Sequence, residues 1–141
     1  MQKTTVPFEI QYLENKSNIH LILNVKIGRK QARMVIDTGA SHSCISRELA
    51  KPIPGKDKIE VDYVASASGN DLSNEIQRVP SVKIGDFTLK NYQFLVLDIS
   101  HINLMFEKLN IKPIVGFLGS DILLKYHAVI DYNTRTLYLS K

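Results

Sequence analysis

Val35-Ile36-Asp37-Thr38-Gly39-Ala40-Ser41 delivers a carboxylate at the end of an apolar, β-branched run and follows it at once with a hydroxyl and a glycine. An ionised Asp against apolar neighbours is costly unless it is hydrogen-bonded or shares a proton, so one reading of this placement is acid–base chemistry at Asp37. Gly39 permits a tight turn whose amides reach the carboxylate, and the Thr38 hydroxyl can lock the loop by bonding a nearby carbonyl. The other reading is a strand-ending Asx turn with no chemistry. The four histidines, His20, His42, His101 and His127, show no helical spacing with a carboxylate, so no metal site is expected. Cys44 is the single cysteine. It reads as a buried small hydrophobe more readily than as a redox group beside the loop. No Gly-x-Ser-x-Gly elbow is present, and Gly116-Phe117-Leu118-Gly119 lacks the Lys-Ser/Thr ending of a phosphate loop, which disfavours serine hydrolase and nucleotidase chemistry. No cofactor is implied.

Strands must position these residues. Ile19, Leu21, Leu23, Val25 and Ile27 alternate with polar residues, which predicts a strand over 19–27. Gly28-Arg29-Lys30 then turns the chain into a short apolar strand ending at Asp37. Ser46 is a candidate N-cap for one helical turn that stops before Pro52. Strands are expected at 58–64, 76–84 and 87–97, with a small, polar hairpin tip at 65–75 and a turn at Gly85-Asp86. Residues 100–112 allow either a short helix or a loop, Ser120–Tyr126 has helical spacing, and 128–139 closes as a hairpin. Val25-Lys26-Ile27-Gly28 recurs as Val82-Lys83-Ile84-Gly85, a short echo of the kind a duplicated all-β architecture produces.

Asp37-Thr38-Gly39-Ala40-Ser41 resembles the catalytic signature of retropepsin-like aspartic proteases, the half-size relatives of pepsin. Phe117-Leu118-Gly119-Ser120-Asp121-Ile122-Leu123 is similar to the family's segment that crosses the active loop and opens the C-terminal helix. The polar tip around Ser66, Ala67, Ser68, Gly69 and Asn70 resembles the flap that closes over substrate. The likeness runs over roughly 19–139. It implies an all-β fold, a closed or partly open acid-protease barrel with one or two short helices and a flap hairpin. Residues 19–141 would be the protease domain, and 1–18, with Val6, Phe8, Ile10 and Tyr12 alternating, an N-terminal extension or edge strand. Pepsin-like chemistry needs two carboxylates sharing a proton, and this chain carries one such motif. Asp98, Asp121 and Asp131 lack a following Thr-Gly or Ser-Gly. A symmetric homodimer, placing the Asp37 of each copy across a twofold axis, is therefore implied. On this reading Asp37, Thr38 and Gly39 are the catalytic residues, and Ala40, Ser66, Ala67, Ser68, Gly69, Phe117, Leu118 and Gly119 bind a peptide or protein substrate, with no metal and no cofactor. Retroviral dimers knit their termini into a shared sheet, and the longer chain here leaves that point open.

The 141 residues, 44% of them hydrophobic, suffice for one globular domain, and the glycine and cysteine content excludes collagen and disulfide scaffolds. No apolar run approaches the roughly 20 residues of a membrane span. The excess of 18 basic over 14 acidic residues is scattered along the chain, so a nucleic-acid partner is not expected. No basic-then-apolar leader opens the sequence, which suggests a cytoplasmic protein if the chain is complete and leaves export open if it has been trimmed. A non-catalytic peptide-binding or dimerisation module with the same fold is the alternative function. Ala40 offers no hydroxyl to stabilise the ionised Asp37 carboxylate, so peptide cleavage is expected to persist toward weakly acidic or neutral pH. A kcat/KM profile confined below about pH 4 contradicts that expectation.

Overall fold

Alternating apolar residues place about half of the described residues in strands, as the spacing predicts. The computed structural model describes residues 1–13, 18–58 and 75–141. Among them run β1 (Lys3–Tyr12), β2 (Ile19–Ile27), β3 (Lys30–Ile36), β4 (Cys44–Ser46), β5 (Lys56–Lys58), β6 (Glu75–Ile84), β7 (Phe87–Leu97), β8 (Gly116–Leu118), β9 (Val129–Asp131) and β10 (Thr136–Ser140). Three helices accompany them: α1 (Arg47–Ala50), α2 (Ser100–Lys108) and α3 (Ser120–Lys125). Most of the strand expected at 58–64 and the tip expected at 65–75 lie outside the described residues.

Strand pairing closes a barrel. Successive neighbours run β2, β3, β8, β4, β7 and β6, and β6 returns to β2 through Lys26↔Lys83 and Ile27↔Val82. The closing rung joins the two copies of the Val-Lys-Ile-Gly echo, with the equivalent lysines facing each other. Gly28 and Gly85, which follow them, both take φ near +60° (60° and 59°), a conformation glycine adopts without steric cost.

Inside the barrel, residues such as Leu23, Met34, Ile45, Phe94 and Leu118 form the main core. Ile22 and Val35 point outward but are covered by Ile99, Phe106 and Ile114, so β2 and β3 are buried on both faces. This covering explains why 100–112 resolves in favour of a helix, a third beside the one or two expected. Phe106 of α2 is fully buried, and the Asn103 side chain donates to Ile114 O (3.0 Å) and accepts from Ile114 N (2.9 Å). At α1, the Ser46 hydroxyl accepts from Leu49 N at 3.1 Å, as a cap should.

Two features depart from simple alternation. In β6 the buried positions facing the main core are Gln77 and Val79 and then Val82 and Ile84, and in β7 Phe87 and Leu89 and then Phe94 and Val96, while Ile76 and Leu95 are buried on the other face with Cys44. Both strands change phase at the same rung, where Pro80 has no amide to donate and Asn91 takes φ +51°. Second, the chain ends meet. Residues 3–7 of β1 pair with β10 and residues 8–12 pair with β2, so this stretch of the 1–18 segment lies between β2 and β10 in the sheet. Gln2 and Lys141 exchange two backbone hydrogen bonds of 2.9 Å.

β8 runs parallel to β3 and antiparallel to β4. A Cβ at Gly116 would fall on the Cys44 carbonyl oxygen, a backbone atom that cannot swing aside. Gly116→Ala is therefore expected to cost about 3 kcal/mol or more, or to prevent folding. Urea unfolding of the variant measures this, and a midpoint equal to that of the parent chain refutes it.

Candidate active site

The loop from β3 to β4 carries Asp37 directly off a buried strand. Asp37 N donates to Leu118 O (2.9 Å), Gly39 N donates to the Asp37 carboxylate Oδ1 (3.1 Å), and Ala40 N returns to Asp37 O (3.2 Å). The carboxylate is thus aimed by the turn that follows it, as the Thr-Gly spacing predicts. Asp37 and Ala40 are half-buried, whereas Thr38 and Gly39 are exposed.

The segment crossing behind this loop runs from β8 into α3. Ser120 N donates to Ala40 O (2.7 Å), and the Ser120 hydroxyl donates to Thr38 O (2.9 Å). A Cβ on Gly119 would sit 2.8 Å from Ala40 O, so the absent side chain is what lets the two segments meet. Gly119 N donates to Ser43 Oγ (2.8 Å). Ser43 in turn donates to Asp121 Oδ1 from both its amide (2.9 Å) and its hydroxyl (2.7 Å), and the Tyr92 hydroxyl donates to Asp121 Oδ2 (2.8 Å). Burial first, and then the bond to Asp121, raises the Tyr92 hydroxyl well above its usual range, so it remains a proton donor.

The site residues expected from sequence divide into three groups. Asp37, Thr38, Gly39 and Ala40 share one loop, and half-buried Phe117 stands on β8 across from Cys44. Leu118 and Gly119 lie deeper. Leu118 is 0% exposed and its side chain fills the barrel core, while Gly119 is buried under Ala40 and His42. Ser66, Ala67, Ser68 and Gly69 lie outside the described residues. Cys44 is buried, and burial pushes its thiol up to about 12, consistent with an unreactive packing residue.

The other aspartates weighed as partners are engaged within the chain. The Ser100 hydroxyl and amide hold Asp98 below the usual carboxylate range, its Oδ1 accepting from Ser100 N at 3.0 Å. Thr134 and Asn133 amides do the same for Asp131 in the β9–β10 turn (3.1 and 2.9 Å). Sequence reasoning did not single out Ser43, Tyr92 or Ser120. Pro80 inside a strand was the one local sign that the register of Tyr92 could not be extrapolated. Among the described residues, no group of three His, Cys, Asp or Glu could hold a metal ion.

The model of the aspartyl protease family matches residues 23–122, which include the Asp37 loop and most of the crossing segment. The chain belongs to the aspartyl protease family. Its fold is similar to that of a retropepsin-like aspartic protease from Rickettsia conorii, at 17% identity and a TM-score of 0.52, with 98% of this chain and 89% of that one covered. It is also similar to the retroviral protease-like domain of Ddi1 from Leishmania major, at 17% identity and a TM-score of 0.53, with 85% and 87% covered. No curated protein matches. The fold of this aspartyl protease family member is thus the retropepsin-like β-barrel, and none of its described helices is long and apolar enough to cross a membrane.

His20, half-buried with its ring centroid 5.9 Å from that of Phe106, supplies a pH test. Burial lowers its pKa below 6.5, against an opposing pull from the Asp37 charge. The unfolded chain therefore takes up the proton first, and stability falls as pH drops through that range. Between pH 7.5 and 5.5 the urea midpoint of the parent chain is expected to fall more than that of His20→Gln. Equal slopes would remove the assignment.

Proposed function

We propose that this chain is an aspartic endopeptidase that acts as a homodimer, each copy contributing Asp37. The observation that carries the reading is the Asp37-Thr38-Gly39 loop, exposed at residues 38–39 and held from behind by Ser120 through Ala40 O and Thr38 O, a setting that Asp98, Asp121 and Asp131 do not share. Two such carboxylates facing each other across a twofold axis repel, so they share one proton. The ionised one takes a proton from water, and the oxygen adds to the peptide carbonyl carbon. The protonated one gives its proton to the carbonyl oxygen. Collapse of the tetrahedral species breaks the C–N bond, with a proton passed to the leaving nitrogen. Substrate lies extended and main-chain bonded, with Ala40 and Phe117 among the apolar neighbours of the cut. Because the termini pair with each other within the chain, the dimer contacts of this reading fall to the Asp37 loop and the surfaces around it.

Sedimentation across protein concentration, with digestion of a mixed peptide library from pH 4 to 7.5, tests the reading. A dimer is expected, and Asp37→Asn is expected to keep the fold and lose cleavage. Mixing equal amounts of the parent chain and Asp37→Asn should leave about a quarter of the activity if each site needs two carboxylates, against about half for independent chains. A strict monomer that cleaves nothing overturns the enzyme and favours a peptide-binding module.

A further inference from the structure

We propose that Asp121 is a positioning residue for Asp37, acting with Ser43 and Tyr92 as a strut behind the loop. The proposal rests on the reading of Asp37 as the catalytic carboxylate. Ser43 ends the loop and is 1% exposed. Its hydroxyl works in both directions, donating to Asp121 Oδ1 (2.7 Å) and accepting from Gly119 N (2.8 Å). Both Asp121 oxygens are engaged, one by Ser43 and one by Tyr92. A single carboxylate therefore binds the Asp37 loop, the start of α3 and strand β7 into one unit.

The chemistry of that unit is unusual for a packing role. Its carboxylate sits in a part-buried place and accepts from hydroxyl and amide donors. Three hydrogen bonds of 2.7–2.9 Å converge on this one side chain and fix it from two directions. Tyr92 reaches Asp121 because β7 changes phase at Asn91, and its ring is braced edge-on by Phe94 with centroids 5.3 Å apart. Such stiffness matters for paired-carboxylate chemistry, where a displacement of about 1 Å can cost on the order of a hundredfold in rate.

The test measures kcat and KM on the library peptide that the parent chain cuts fastest, together with amide hydrogen exchange at Gly39, Ala40 and Ser120. Asp121→Ala is expected to lower kcat about a hundredfold with KM within about threefold. Asp121→Asn should recover kcat to within about tenfold of the parent chain, because its carbonyl accepts from Ser43 and its amide can donate to the Tyr92 hydroxyl. Tyr92→Phe removes one hydroxyl, keeps the ring, and should lower kcat about tenfold; it carries the test if Asp121→Ala does not fold. Exchange at Gly39 and Ala40 should quicken about tenfold in Tyr92→Phe while β2 amides stay unchanged. Unchanged kcat in Tyr92→Phe, or Asn no better than Ala at 121, overturns the proposal, as does unchanged exchange at Gly39. If the parent chain cleaves no peptide, the endopeptidase reading fails and takes the catalytic role of the strut with it; exchange then still decides whether the strut holds the loop.

Discussion

A three-residue strand has to pair on both sides at once, and this demand governs the molecule. β8 lies between β3 and β4, and the approach of Gly116 to the Cys44 carbonyl leaves no room for a side chain. Once that contact is made, the register of Phe117 and Leu118 is set, and a slip of one residue would exchange their faces. Leu118 then enters the core and its carbonyl meets the amide of Asp37. Gly119 comes next, again without a side chain, and lets the start of α3 touch the loop. The place of the candidate carboxylate is thus a consequence of sheet pairing rather than of the loop's own preferences.

The same chain shows how neighbours give one residue type different work. Asp98 and Asp131 satisfy turn and helix-end amides at the surface, where the bonds hold their carboxyls in the charged form. Asp121 points inward and joins elements that are far apart in sequence. Asp37 alone among these four pairs a local amide bond with exposed neighbours on both the hydroxyl and glycine positions that follow it. Side-chain type did not separate these roles. The donors set Asp121 apart from the other three, which each accept from the amide two positions on, and the Thr-Gly that follows sets Asp37 apart from Asp98 and Asp131.

Much of the fold was legible because it is local. Alternation marks β2 and the final hairpin, Gly85-Asp86 marks the β6–β7 turn, and Ser46 caps its helix with a bond to a residue three positions away. The Asp37 loop was legible for the same reason, since Asp37, Gly39 and Ala40 bond to one another. What was missed depends on distance along the chain. Ser43 and Asp121 are 78 residues apart, and Tyr92 and Asp121 are 29 apart. Neither pairing has a sequence period. Helix α2 was ambiguous because its stabilisation comes from Ile22 and Val35 on a distant sheet face. The burial of Leu118 was not legible, because adjacency to a motif says nothing about which way a side chain points.

The meeting of Gln2 and Lys141 has a topological meaning. Two residues that already exchange backbone hydrogen bonds need almost no added chain to be joined covalently, so a circular form of this sequence would start from a loop that is closed in the native state. Closure would then act on the unfolded ensemble alone, removing the entropy of free ends. It also means that whatever is fused at either end departs from the same corner of the barrel, and two such fusions on one chain would begin as close neighbours at high effective concentration.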